Sequence, residues 1–299
     1  MGFNRGYRYR ERVGAADSAR TLLEHLAQTR RHSSQEVWEG RIDRGEVRLE
    51  GRIGRASDRL RPGDEIEWDR PPWEEPAVPR CCAVLYRDDD LLVVAKPRGL
   101  PTLPSGGFLD HTLLALVRGW DASATPMHRL GRGTSGLVVF ARTKRARSFL
   151  ARAWREGEVD RIYRGLVEGL PRMDAFSVDA RIGRVPHPLL GSVYGASQAP
   201  DARKSRTDVS VLERRRSTSL VEVDIATGRP DQIRIHLASA GHPLVDEPLY
   251  GPGGLPCSHA LPGDGGYWLH AMRIAFPHPV SGRPVVVECE PPPRLRRDG

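Results

Sequence analysis

The chain has 299 residues, 39% apolar and 28% charged, which excludes a disordered polypeptide and leaves room for one large domain and a smaller one. Its 46 basic residues against 38 acidic ones give a net charge of +8, which points to an anionic partner such as nucleic acid, although a GC-rich genome would produce the same arginine bias. Four cysteines without a C-x-x-C pair, a start without an apolar h-region, and no apolar run near the roughly 18 residues of a membrane span argue for a reducing, cytoplasmic setting and no membrane.

Up to Pro62 the chain carries 14 arginines and 9 acidic residues. Leu22, Leu23 and Leu26, then Val37, Trp38 and Ile42, are spaced for two short helices, and "EVRLEG" and "DEIEW" alternate as strands. A small α/β domain over residues 1–72 follows, RNA-binding-like in its arginine content; a merely solvated basic cap is the alternative. The acidic, proline-rich "GDEIEWDRPPWEEPAVP" predicts a linker at 73–80, with the main domain over 81–299. There "AVLY" and "LLVVA" are strands around the turn "RDDD", "HTLLALVRG" is a helix and "GLVVFA" a strand. Thr143 can cap the next helix, whose Ala146, Phe149, Leu150, Ala153 and Trp154 share one face. "RIYRGLVEG", "DVSVLER", "SLVEVDIA", "MRIAF" and "VVVEC" are further strands, and a last helix begins near Pro230. Strands outnumber helices and often follow one another directly, which predicts an α+β domain on a largely antiparallel mixed sheet.

Three motifs invite chemistry that their context denies. Gly131, Gly133 and Gly136 spell G-x-G-x-x-G, but a dinucleotide fingerprint needs a strand before it and a helix after it, and here the strand comes after. Asp88, Asp89 and Asp90 are adjacent on a turn and cannot all face one metal ion. Ser135 lacks the final glycine of a nucleophile elbow, since Leu137 stands there. In "DQIRIHLASA" Asp231 and Arg234 fall on one helical face, as a cap with an ion pair or as part of a site.

Taken together, these stretches resemble the RluA-type family of RNA pseudouridine synthases. The family's motif H-R-L-D, two variable residues, T-S-G is matched by His128, Arg129 and Leu130, then Thr134, Ser135 and Gly136. "VLYRDDDLLVVAKPRGLPTLP", "RIYRGLVEG", "TGRPDQIRIHLASAGHPLV" and "LHAMRIAFPHP" resemble the other family segments in order, over about Ala83 to Cys289.

The resemblance implies cofactor-free, metal-free isomerisation of a flipped-out uridine in RNA, ribosomal or transfer, by a monomer. An aspartate attacks, the base detaches from ribose, turns and reattaches through carbon 5. By position Tyr163 matches the tyrosine that aids proton movement, and Arg234 the arginine that pairs with the nucleophile. His128, Arg129, Leu130, Arg132 and Thr134 are expected to line the uridine pocket. The nucleophile's own position is Gly131, and between Met127 and Thr143 there is no carboxylate, cysteine or lysine. Asp231, where the family usually has histidine, is the expected replacement, because an arginine favours an ionised carboxylate beside it. The alternative is a catalytically inactive RNA-binding protein that keeps the fold.

Overall fold

Every residue of Ser135–Ala141 is buried in the computed structural model of the chain, which describes residues 3–298. A strand buried on both faces needs layers on each side, and the elements around it supply them. The chain forms two compact units, one from residues up to Glu75 and one from Pro76 onward, apart from the turn 188–191.

In the first unit, β1 (Tyr7–Arg12) is followed by α1 (Leu22–Thr29) and α2 (Gln35–Asp43), then β2 (Val47–Leu49), β3 (Arg52–Ile53) and β4 (Glu65–Arg70). The strands form one sheet in the order β1-β4-β2-β3. A capping box starts α1: Thr21 Oγ1 accepts from the Glu24 amide at 3.3 Å while the Glu24 carboxylate accepts from the Thr21 amide at 2.8 Å. Leu22, Leu26, Trp38, Ile42, Val47 and Ile66 make the core, and the Arg41 guanidinium lies 4.5 and 4.4 Å from the rings of Trp38 and Trp68. Arg8, Arg10, Arg20, Arg30, Arg44, Arg48 and Arg52 are ion-paired to carboxylates, so much of this unit's positive charge is balanced locally.

The second unit opens with β5 (Ala83–Arg87), β6 (Leu91–Lys96), α3 (Leu113–Arg118), β7 (Thr125–Pro126), β8 (Ser135–Ala141) and α4 (Lys144–Glu156). It continues through β9 (Asp160–Glu168), β10 (Ala175–Val178), β11 (Ile182–His187), β12 (Gly191–Ala196), β13 (Thr207–Arg214) and β14 (Thr218–Ile225). Helix α5 (Gln232–Ser239) and strands β15 (Leu269–Pro277) and β16 (Pro284–Glu288) complete it. The main sheet runs β10-β13-β14-β9-β15-β8-β6-β5 and is antiparallel except where β15 lies parallel to β8. That parallel contact depends on Gly136, at φ +105°, where a Cβ would sit 2.7 Å from the Ala271 amide nitrogen. One face packs Leu92, Val138, Tyr163, Val221 and Leu269 in a cluster with Ile233 of α5, and the other packs Leu137, Val139 and Ile274 in a cluster with Leu150 and Ala153 of α4.

The last helix begins near Pro230 as expected, at Gln232, and Asp231 is the residue before the first helical one. Asp231 adopts a left-handed conformation, φ +52°, and its side chain makes no capping bond. The β11–β12 pair was not foreseen at all.

Candidate active site

All seven residues Gln232–Ala238 of α5 are buried, three of them polar, so the helix is held by hydrogen bonds as well as by apolar packing. Gln232 accepts from Thr227 Oγ1 (2.7 Å) and the Arg229 amide (3.0 Å), and donates to the Arg206 carbonyl (2.8 Å) and Thr207 Oγ1 (3.1 Å). His236 meets Thr207 Oγ1 and the Ala180 carbonyl, each at 2.8 Å. These bonds use every polar atom of the two side chains and fix the helix rotation. They set Arg234 beneath the turn 131–134.

Arg234 is 2% exposed and lies between two acids. Its Nε and Nη2 donate to the two carboxylate oxygens of Glu247 at 2.8 and 2.6 Å, and Nη1 donates to Asp231 Oδ1 at 2.9 Å. The Glu247 side chain is 1% exposed and takes two further bonds, from the amides of Leu249 (2.9 Å) and Tyr250 (3.3 Å). Asp231 is the outer acid, its side chain 23% exposed. The Tyr250 hydroxyl is shared between the Tyr194 carbonyl at 3.0 Å and Asp231 Oδ2 at 3.3 Å. Rings of Tyr267 and Tyr250 lie 4.2 and 5.0 Å from the guanidinium carbon. Burial alone would lower the Arg234 pKa, but the hydrogen bonds to Glu247 and the charges around it carry it above its ordinary value. Burial pushes the Tyr250 phenol up, and Asp231 adds to that.

The turn that faces this cluster is tied down from below. Lys96 is 1% exposed, has no carboxylate partner among the described residues and donates from Nζ to the carbonyls of Leu100 (2.7 Å), Pro97 (3.0 Å) and Arg132 (3.4 Å). Burial lowers its pKa to about 7. Thr102 and Leu130 exchange two bonds, with Thr102 Oγ1 donating to the Leu130 carbonyl at 2.8 Å and accepting its amide at 3.1 Å. Thr134 Oγ1 shares a hydrogen bond of 3.2 Å with the Tyr267 hydroxyl.

Of the residues singled out in the sequence, Gly131, Thr134 and Arg234 thus meet at Tyr267, and Asp231 joins them through Arg234. Leu130 and Tyr163 join the apolar cluster that also holds Ile233 and Tyr267, and the Tyr163 hydroxyl makes no hydrogen bond among the described residues. Burial raises the Tyr163 pKa, with Arg161 opposing. Arg132 lies over the Phe108 ring at 5.6 Å, and Arg129 is exposed. His128 is engaged elsewhere: its ring stacks on Trp154, 5.5 Å between centroids, and Nε2 accepts the Val139 amide at 3.1 Å. Burial, then Arg161, lowers its pKa to about 3, so the ring is neutral and suited to accept that bond. Sequence reasoning missed Glu247, Tyr250, Tyr267 and Lys96. The signal for Glu247 was the acid pair in "LVDEPLYG", since a buried arginine calls for a carboxylate that can grip it with both oxygens.

Known families, sequences and structures include matches to this chain. The family model described as RNA pseudouridylate synthase matches residues 90–239. A Synechocystis sp. protein named as an uncharacterized RNA pseudouridine synthase is 38% identical over 92% of this chain and 95% of its own length. RNA pseudouridine synthase 5 of Arabidopsis thaliana is 34% identical over 98% of this chain and 94% of its own. Among solved structures, human RNA pseudouridylate synthase domain containing 1 superposes with a TM-score of 0.58 at 26% identity, covering 75% of this chain and 89% of that one.

Proposed function

We propose, from the premise that this chain belongs to the RNA pseudouridylate synthase family, that it isomerises uridine to pseudouridine in structured RNA with Asp231 as the reacting carboxylate. The observation that carries the second half is the Asp231–Arg234–Glu247 cluster: Glu247 grips the guanidinium from within, and Asp231 is the partner that remains open to the surface. An isomerisation needs no net reagent. The bond from ribose carbon 1′ to N1 breaks, a bond to carbon 5 forms, the carbon 5 proton leaves and N1 takes one up. Asp231 attacks the flipped-out nucleotide, Arg234 stabilises its charge, and the buried Tyr163 phenol, protonated at neutral pH, assists proton movement. Arg129, Arg132, Leu130 and Thr134 line the pocket from the turn side. The left-handed backbone of Asp231 agrees with a functional assignment, since a non-glycine residue there is held at a cost that its surroundings must offset.

The test is tritium release from RNA carrying [5-³H]uridine. Asp231→Asn is the variant of choice because asparagine tolerates the left-handed conformation as aspartate does. Turnover is expected to fall at least about 10³-fold, as when other enzymes lose a covalent nucleophile, with RNA binding retained; unchanged turnover rejects Asp231. A second reading, RNA binding without catalysis, is favoured by Gly131, which presents no reacting group on the turn. Salt-sensitive binding by wild-type protein with no tritium release would establish it.

A further inference from the structure

Tyr267 stands between the turn and Arg234, and it accounts for the missing side chain at position 131. The residue is 1% exposed. A Cβ built on Gly131 would lie 2.5 Å from the Tyr267 hydroxyl oxygen but 3.9 Å from Cζ. A Cβ on Gly133 would lie 2.7, 2.8 and 3.2 Å from Cε1, Cζ and Cδ1 of the same ring. Neither glycine has a left-handed φ, so close approach of the tyrosine, not backbone conformation, keeps both positions bare. The hydroxyl is about as far from that would-be Cβ as an aspartate's own carboxylate oxygens are from theirs. It is also anchored there, bonded to Thr134 with its ring against the guanidinium.

We infer that Tyr267 is a positioning residue which takes the place of a carboxylate on residue 131 and hands that group's task to Asp231. The inference rests on the activity proposed above. With the ring filling the volume between turn and guanidinium, an acid on the turn has no room, and the Nη1–H of Arg234 turns to Asp231. Burial raises the Tyr267 phenol above its ordinary range, Arg234 and Thr134 opposing, so the phenol adds no competing negative charge at neutral pH.

Thermal denaturation judges the contact independently of activity. Gly131→Ala is expected to lower Tm by several degrees in the native background and by less than half as much in Tyr267→Phe, which deletes the one atom in the way. Gly133→Ala meets ring carbons and is not relieved by Tyr267→Phe. Equal losses from Gly131→Ala in both backgrounds overturn the inference. Tritium release judges the handover. Asp231→Asn stops turnover in otherwise native protein, but not in the double variant Gly131→Asp/Tyr267→Leu, where the ring is gone and a carboxylate on residue 131 can reach Arg234. Should that variant fail to fold, Tyr267→Met fills more of the vacated core and still lacks the ring. A double variant that is silent, or that still needs Asp231, overturns the handover. If native protein releases no tritium while the double variant does, the proposed activity falls and the role of Tyr267 stands.

Discussion

Arg234 shows how much a single buried charge dictates. Removing one acid from a buried pair commonly costs about 3–5 kcal/mol because the other charge is stranded. Glu247→Gln leaves the guanidinium with Asp231 alone, so its cost falls near the lower end, about 3 kcal/mol, read as a loss of unfolding free energy in urea. Lys96 carries a pH signature. The folded chain gives up its proton near pH 7, whereas an unfolded lysine holds one to about 10.4. The unfolded state therefore binds more protons across that interval, and stability rises with pH through it. Urea titrations between about pH 7 and 10 are expected to show this rise and to show it flattened in Lys96→Met. At this scale the sequence was legible where contacts are local. Helical spacing alone put Asp231 beside Arg234. Glu247 and Tyr267 reach the same guanidinium from 13 and 33 positions further along the chain, through loops whose path no periodicity encodes.

Elements were legible when pattern and boundary signals agreed. Thr143 caps α4 as its position foretold, accepting the Ala146 amide at 3.1 Å, and Ala146, Leu150 and Ala153 are buried along one stripe. The same hydroxyl donates to Asp90 Oδ1 at 2.7 Å, which joins the helix start to the turn before β6. Thr143→Ala is therefore expected to cost about 1–2 kcal/mol, at the upper end for a cap, while Thr143→Ser, which keeps the hydroxyl, costs a fraction of that in the same denaturation experiment. The β11–β12 pair escaped because "RIGRVPHPLLGSVYG" holds Pro186, Pro188 and three glycines within 15 residues, a composition that reads as loop. Pro186 is tolerated inside β11 because that strand's one strand partner is β12 and its other pairing, Ile182 with Arg203, lies at the far end. Helix α5 was found, but its burial on all sides was not, because the polar side chains of Gln232, Arg234 and His236 read as solvent-facing until their partners are known.

At the scale of the molecule, net charge and sheet order matter most. If the excess of 8 positive charges serves RNA, affinity should drop steeply with salt, by on the order of 10³-fold between 50 and 200 mM for about six phosphate contacts; fluorescence anisotropy with labelled RNA measures it, and salt-independent binding would exclude a phosphate-based interface. The α+β class was readable from strands that follow one another directly, but the order in which they pair was not. Strand β15 lies in the middle of the main sheet, between β9 and β8, although all but one of the other strands precede it in the chain. The flanking strands come from residues 83–141 on one side and 160–225 on the other. A nascent polypeptide must therefore carry two unfinished half-sheets until residues 269–277 have emerged to bridge them. During that wait β9 and much of β8 expose backbone edges that other chains can pair with. Ribosome-stalled or prematurely terminated products are thus the species most prone to clump, and Tyr267 can reach Arg234 only as the seam is closed.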